Sequence, residues 1–329
     1  MFLKQPLALR KERIEALRAR SEKGKRQIMG CQSRHHLTMT NVTNWFSLSL
    51  ISPFIHTWTS VLKNATKAIV LVTAILGAIC PVAAAQSNAP QDLLLTRQGV
   101  EIGGQLAHYH YKEPGLIDIT GNRAGVVGVF TFVNPAQRLF TRIDVRGSYG
   151  SLKYEGSGTI NGVPDWIAEA RIVSGKDFLP GSGVSLSPYA GLGYRFLFND
   201  LRGYSSSGAV GYRRYSNYSY APIGLTSRIS ISEQWVLAPT LEYDAFIHGQ
   251  QISKLSDAGL GDPDVTNTQN DGFGYRVSIM AETRHWAFGP WLHYWHIRDS
   301  DLQRINATTL GLEPANWTRE VGFELRYRF

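Results

Sequence analysis

The chain has 329 residues, of which 43% are hydrophobic and 18% charged, with 34 Lys and Arg against 26 Asp and Glu for a net charge of +8. Such a length allows one large domain or two ordinary ones, and such a charge would suit a nucleic acid or an anionic surface. The distribution removes the nucleic-acid reading: 12 of the Lys and Arg but only three of the acids precede Gln86, so the remainder is close to neutral.

Residues 1–62 read as an N-terminal extension. The stretch "LRKERIEALRARSEKGKRQ" suits a short basic helix with Leu9, Ile14 and Leu17 on one side. The plainer alternative is that the true start lies later, for instance at Met39, since an export signal normally begins at the N-terminus. Residues 63–85 have the form of that signal, with Lys63 and Lys67 before the 13-residue apolar run Ala68–Cys80 and small residues at Ala83, Ala84 and Ala85. The run is short of the roughly 20 residues that span a bilayer, and Ile79 does not fit a lipoprotein site. Cleavage after Ala85 is expected. Both cysteines, Cys31 and Cys80, lie upstream of it, so no disulfide framework is available to the exported part.

Residues 86–99 form a periplasmic N-terminal segment, and residues 100–329 show no amphipathic helix of useful length. Ten runs with a period of two follow one another: 101–111, 123–132, 141–149, 166–173, 185–198, 218–229, 236–247, 274–282, 287–297 and 319–329. Their connections alternate in length. "NPAQRLF", "SISEQW" and "TRHW" are short, and "SGKDFLPGSGV" belongs with them by position. "EGSGTINGVPD", "NDLRGYSSSGAVGYRRYSN", "HGQQISKLSDAGLGDPDVTNTQNDGF" and "RDSDLQRINATTLGLEPANWT" are long and polar. This segregation predicts an all-β chain: a single ten-stranded antiparallel transmembrane barrel with short periplasmic turns and long extracellular loops, in the outer membrane.

The two faces of the runs carry the same message. Leu241, Tyr243, Ala245 and Ile247 alternate with Thr240, Glu242 and Asp244, and Ile143, Val145 and Tyr149 alternate with Arg142, Asp144 and Arg146. Charges return again and again to the face that a soluble sandwich would keep dry; in a barrel that face lines the lumen while lipid meets the apolar one. In "QLAHYHY" it stays open whether His108 and His110 or Tyr109 and Tyr111 face inward.

Ten strands make a narrow cylinder, and open aqueous channels appear at about 16 to 18 strands. The lumen is therefore expected to be filled by a charge network of Arg123, Arg142, Asp144, Arg146, Glu169, Arg171, Arg195, Arg228, Glu242, Asp244, Arg276, Glu282, Glu324, Arg326 and Arg328. Pairing would hold the strands in register, because an unpaired buried charge is costly. The final run, with Tyr327 and Phe329 on its apolar face, resembles the C-terminal assembly signal of Gram-negative outer-membrane proteins, which implies the barrel assembly machinery as a partner.

From about residue 160 the chain also resembles the omptin family of ten-stranded outer-membrane endopeptidases, through "SNYSYAPIGLTSR", "LEYDAFIHG" and "GYRVSIMAE". The resemblance implies an Asp pair on one wall and an Asp-x-His on the other, acting on a water. In "GVPDW" Asp165 matches one acid and Val163 stands at the other; Ser253 and Leu255 stand where the second wall would supply Asp and His. His248 is the nearest imidazole, to be paired with Asp165 or Asp244, against the plainer reading of a rim histidine without catalytic role. His293 and His296 are three apart and fall on opposite faces of a strand, so they make no metal site.

Arg202, Arg213 and Arg214 lie in a long loop among tyrosines and are candidates for lipid-phosphate contact with lipopolysaccharide; the ordinary alternative is solvated charge or pairing with Asp200. Asp257, Asp262 and Asp264 lack the spacing of a calcium loop. No cofactor, metal or nucleic acid is expected, and a monomer is. The leading expectation is an envelope or surface role through the outer loops. The alternatives are an omptin-like endopeptidase with a degenerate or rearranged site and a small porin-like channel.

Overall fold

The computed structural model describes residues 91–306 and 309–329. The proposed extension, the export signal and the first part of the periplasmic segment lie outside the described residues. A helical turn, Gln91–Leu94, precedes β1 (Gly99–Glu113), β2 (Ile117–Asn134), β3 (Leu139–Gly156), β4 (Gly158–Lys176), the short β5 (Phe178–Gly181), β6 (Val184–Tyr204) and β7 (Val210–Ser230). Then come β8 (Val236–Ser253), the short β9 (Val265–Gln269), β10 (Gly272–Glu282), β11 (Trp286–Ile297), the two-residue β12 (Gln303–Arg304) and β13 (Leu310–Gly311), and β14 (Asn316–Arg328). No helix among the described residues is long and apolar enough to cross a membrane.

Ten strands close into an antiparallel ring in the order β1, β2, β3, β4, β6, β7, β8, β10, β11, β14. The ring is sealed where β14 pairs with β1, from Glu101 opposite Arg328 to Lys112 opposite Trp317. Each predicted run lies within one of these strands, apart from Phe329, whose backbone N–H still donates to the Val100 carbonyl at 3.0 Å. Closure gives each of the ten ring strands a partner on both sides, as hydrocarbon demands.

The burial is inverted relative to a soluble fold. On β14 Val321 and Phe323 are 47% and 51% exposed, whereas Glu320 between β1 and β11 is 1% exposed. The same holds on β3 and β10: Ile143, Val145, Val277 and Ile279 are exposed, and Ser148, Arg276 and Glu282 are buried. Large exposed apolar groups around a charged interior are what a lipid solvent selects.

Side chains fill the interior at several levels. Four inward-facing glycines each stand opposite an aromatic residue on the next strand: Gly193 with Tyr220, Gly224 with Tyr189, Gly274 with Trp295, and Gly322 with Trp291. A Cβ at any of the four would overlap the ring, so the missing side chain is what lets the ring lie across the wall.

The connections differ from the expected pattern in one respect. β6 and β7 are 21 residues each and β3 and β4 are 18 and 19, against the 9 to 11 or so that cross a bilayer. The stretches expected as long loops at 155–165 and 199–217 are thus mostly strand, leaving Ser157 and residues 205–209 as turns. The barrel wall rises beyond the apolar band, and among the described residues the long outer connections are 254–271, which carries β9, and 298–315.

Candidate functional site

The interior network is built by strand alternation alone. Arg142, Asp144, Arg146, Glu169, Arg171, Arg195, Arg228, Glu242, Asp244, Arg276, Glu282, Glu324, Arg326 and Arg328 all join ion pairs with one another or with Glu101 and Glu320. Arg276 donates Nε to Asp244 at 2.8 Å and Nη2 to Glu169 at 2.5 Å, and Tyr220 donates its hydroxyl to Glu169 at 2.6 Å. Arg146 reaches both Glu169 at 2.5 Å and Glu320 at 3.1 Å. Glu320 also takes Arg195 at 3.0 Å. Two acids of this network, Glu101 and Glu320, are absent from the residues proposed for the lumen. Glu320 shares the phase of Glu324 and is legible from it; Glu101 begins the run in which "QLAHYHY" leaves the facing open.

The phase of that first run is now settled. Tyr109 and Tyr111 are buried in the lumen, and His108 and His110 lie on the outer face, where His110 meets Asp118 at 2.7 Å.

A cavity of about 140 Å³ remains within the network, lined among others by Arg142, Arg146, Arg171, Arg228, Arg276, Glu169, Trp291 and His293. Beyond it, toward the outer end, the space is crossed by side chains. In a ring of ten, β6 and β14 are five places apart, as are β7 and β1, so each couple stands on opposite walls. The Arg195–Glu320 pair joins the first two walls, and Arg214 on β7 reaches Glu113 on β1 at 2.8 Å.

Arg214 therefore requires a correction. Its side chain is 4% exposed and points into the barrel, where Glu113, Glu313 and the Tyr111 hydroxyl accept from it. It shares the inward phase of Tyr218 and Tyr220, four and six residues on, so lipid phosphates do not reach it. Arg202 and Arg213 are on the outside, but each is already held in a two-pronged pair. Arg202 grips Asp200 at 2.8 and 2.6 Å, and Arg213 grips Asp257 at 2.8 and 2.7 Å. Hydrogen bonds from Arg213 hold the Asp257 carboxyl down to about 2. Burial, helped by neighbouring Glu113 and opposed by Arg214, pushes the Glu313 carboxyl up to about 8.

Asp165 and His248 are not brought together. Asp165 is 0% exposed, faces the lumen and accepts from Arg123 and Asn199. His248 is exposed on the opposite face because the pairing of β7 with β8 slips between Ser219–His248 and Tyr220–Phe246, leaving Ile247 as an extra residue. That bulge reverses the alternation: Glu242 and Asp244 point inward before it, and Gln251 and Ser253 after it. Nor does Asp244 serve as a partner, since it is buried against Arg276. Val163 and Ser253 both point inward and are buried.

In the outer loop, Asp264 accepts from Lys254 at 2.7 Å and Asp262 from Asn306 at 3.0 Å. Among the described residues no group of three or more His, Cys, Asp or Glu is placed to hold a metal ion. At the other end of the chain, Tyr327 packs between Trp286 and Phe329, with ring centroids 4.9 and 5.1 Å away, and Phe329 is exposed.

No protein-family model and no curated protein matches the chain. Among solved structures it is similar to the outer-membrane protease OmpT from Escherichia coli, at 13% identity and a TM-score of 0.50, covering 71% of this chain and 98% of that one. It is also similar to the translocator domain of the autotransporter NalP from Neisseria meningitidis, at 11% identity and a TM-score of 0.35, covering 80% and 98%. The attachment invasion locus protein Ail of Yersinia pestis matches at 10% identity and a TM-score of 0.28, covering 71% and 100%. At these identities the likeness concerns the fold alone: this chain has the fold of an outer-membrane β-barrel.

Proposed function

We propose that the protein is an integral outer-membrane barrel whose lumen serves as a structural core, and whose role in the envelope is surface or lipid contact through its raised wall and outer loops. The Arg195–Glu320 pair carries this reading, because a charge pair between opposite walls occupies the path a solute would take. Arg276 tied to three acids on two strands supports it in the same way. The test is conductance in planar bilayers. Purified refolded protein should give no discrete steps, and reproducible single-channel openings would overturn the reading.

The cavity of about 140 Å³ favours a small channel as second reading; the same recording distinguishes the two. An omptin-like hydrolase is weakened by the facing of His248 and by the pairing of Asp165 with Arg123.

The partner of the outer face is membrane lipid, which the exposed apolar residues of β3, β10 and β14 would meet. Lipopolysaccharide phosphates would have to displace Asp200 from Arg202 or Asp257 from Arg213. The alternating aromatics ending in Phe329 would be read by the barrel assembly machinery. A closed ring without free edges suits a monomer.

A further inference from the structure

The segment before β1 does not hang free at the periplasmic mouth. Leu94 is 0% exposed, and with Leu93 it packs against Val236 at the start of β8 and against Leu179 of the turn after β4. The Leu94 carbonyl accepts from Ser185 on β6 at 2.5 Å. Thr96 donates its backbone N–H and its hydroxyl to the two carboxylate oxygens of Asp177, at 2.7 and 2.8 Å. Arg97 donates to the carbonyls of Thr283 and Arg284, in the turn between β10 and β11, at 2.8 and 2.9 Å.

The anchors of Leu93, Leu94 and Thr96 belong to the far side of the ring from β1, that of Arg97 lies part of the way round at the β10–β11 turn, and the segment must return to β1 at Gly99. Five residues from Leu94 to Gly99 reach about 17 Å when extended. Ten strands spaced about 4.8 Å and tilted about 40° enclose a ring roughly 20 Å across. The segment is therefore stretched across the opening. It also touches the charged interior, since Arg228 lines the cavity and lies 3.4 Å from the Thr96 hydroxyl. The turn holding Asp177 is the longest on the periplasmic side, and its extra length is what brings Asp177 and Leu179 to the segment.

We propose that residues 92–98 are a strap that seals the periplasmic mouth and governs entry of small polar solutes into the cavity behind it. Two buried leucines at the rim of a charged lumen exclude water, and the Asp177 pair with Thr96 fixes their position. The outer end is closed separately by the Arg195 and Arg214 crossings, so release of the strap opens a chamber, not a through-channel. Conductance tests the filled lumen; the experiment below tests the strap alone.

A reporter cysteine at Ser278→Cys, on the cavity wall, is introduced into the full chain with Cys31 and Cys80 replaced by serine. The detergent-purified protein is treated with a charged methanethiosulfonate, and folding of every variant is checked by its heat-dependent gel mobility. Protection in the parent and labelling at least tenfold faster in Leu93→Asp with Leu94→Asp are expected, with a smaller acceleration in the milder Thr96→Val. Rapid labelling of the folded parent overturns the strap whatever the variants do. Unchanged protection in folded Thr96→Val together with a folded leucine variant overturns it equally.

Discussion

Arg195 on β6 and Glu320 on β14 face each other from opposite walls of the ring, and their 3.0 Å ion pair crosses the lumen. Glu320 also takes Arg146 at 3.1 Å and lies 4.0 Å from Arg123, so three guanidinium groups gather round one carboxylate, although Arg146 also has Glu169 and Arg123 has Asp165. Breaking a buried pair from one side leaves charge uncompensated and costs about 3–5 kcal/mol. Glu320→Gln should lower unfolding stability in lipid bilayers by about that much, read from urea titration, whereas Glu155→Gln at an exposed surface pair should change it by less than about 1 kcal/mol.

The aromatic rings over glycine give an independent test of how the interior is filled. Gly193→Ala would drive a methyl group into the Tyr220 ring, whose hydroxyl bonds Glu169. A loss of about 1–3 kcal/mol is expected from such overpacking. Gly104→Ala, whose added methyl would meet only the Gly125 carbonyl at an ordinary 3.7 Å, should be tolerated. Thermal or urea unfolding of the two variants side by side decides the point.

Asp165 and His248 separate structure from catalysis. Asp165→Asn should destabilise the barrel by about 2 kcal/mol or more, because Arg123 loses the charge it is buried against. His248→Ala, at an exposed position, should leave stability within about 0.5 kcal/mol. Neither should alter cleavage of a basic peptide by the refolded protein; activity abolished by both substitutions would restore the omptin-like reading.

The two outer loops should respond to pH in opposite senses. Glu313 holds its proton up to about 8 when folded, against 4.5 for a free carboxyl. The folded form therefore binds more protons between these values, and its stability falls as pH rises from about 4.5 to about 8. The protection factors of amides in residues 298–315, corrected for the intrinsic pH dependence of exchange, should be lower at about pH 9 than at about pH 6, with the difference reduced in Glu313→Gln. Asp257, held at about 2 against 3.8, contributes stability above 3.8 that is lost as pH falls toward 2. The protection factors at residues 254–264 should fall only in that acid range.

The ring was legible because its membrane-crossing parts sort residues by two unlike solvents. On β14 from Glu320 to Arg328 every second residue is apolar and every other one is small or charged, so strand, facing and lumen follow together. Above the membrane that contrast fades. On β7, Asn217 and Ser219 point outward while Ser216 points inward, and polar side chains on both faces hide a strand that continues by hydrogen bonds alone. This is why 199–217 reads as loop and Arg214 as a surface residue. His248 was hidden differently, by a single extra residue that no alternation predicts. The strap was hidden by length, since a helix of four residues carries no period; its signal is only the apolar run "LLL" ahead of the first strand.

The most direct test of which face meets hydrocarbon is a spin-label scan along residues 319–327 in liposomes, read by collision with oxygen and with a water-soluble nickel complex. Labels at Val321, Phe323 and Leu325 should be reached by oxygen and shielded from nickel, and labels at Glu324 and Arg326 should be shielded from oxygen, with a strict period of two. Access of nickel to positions 321, 323 and 325, or loss of that period, would contradict a lipid-facing barrel.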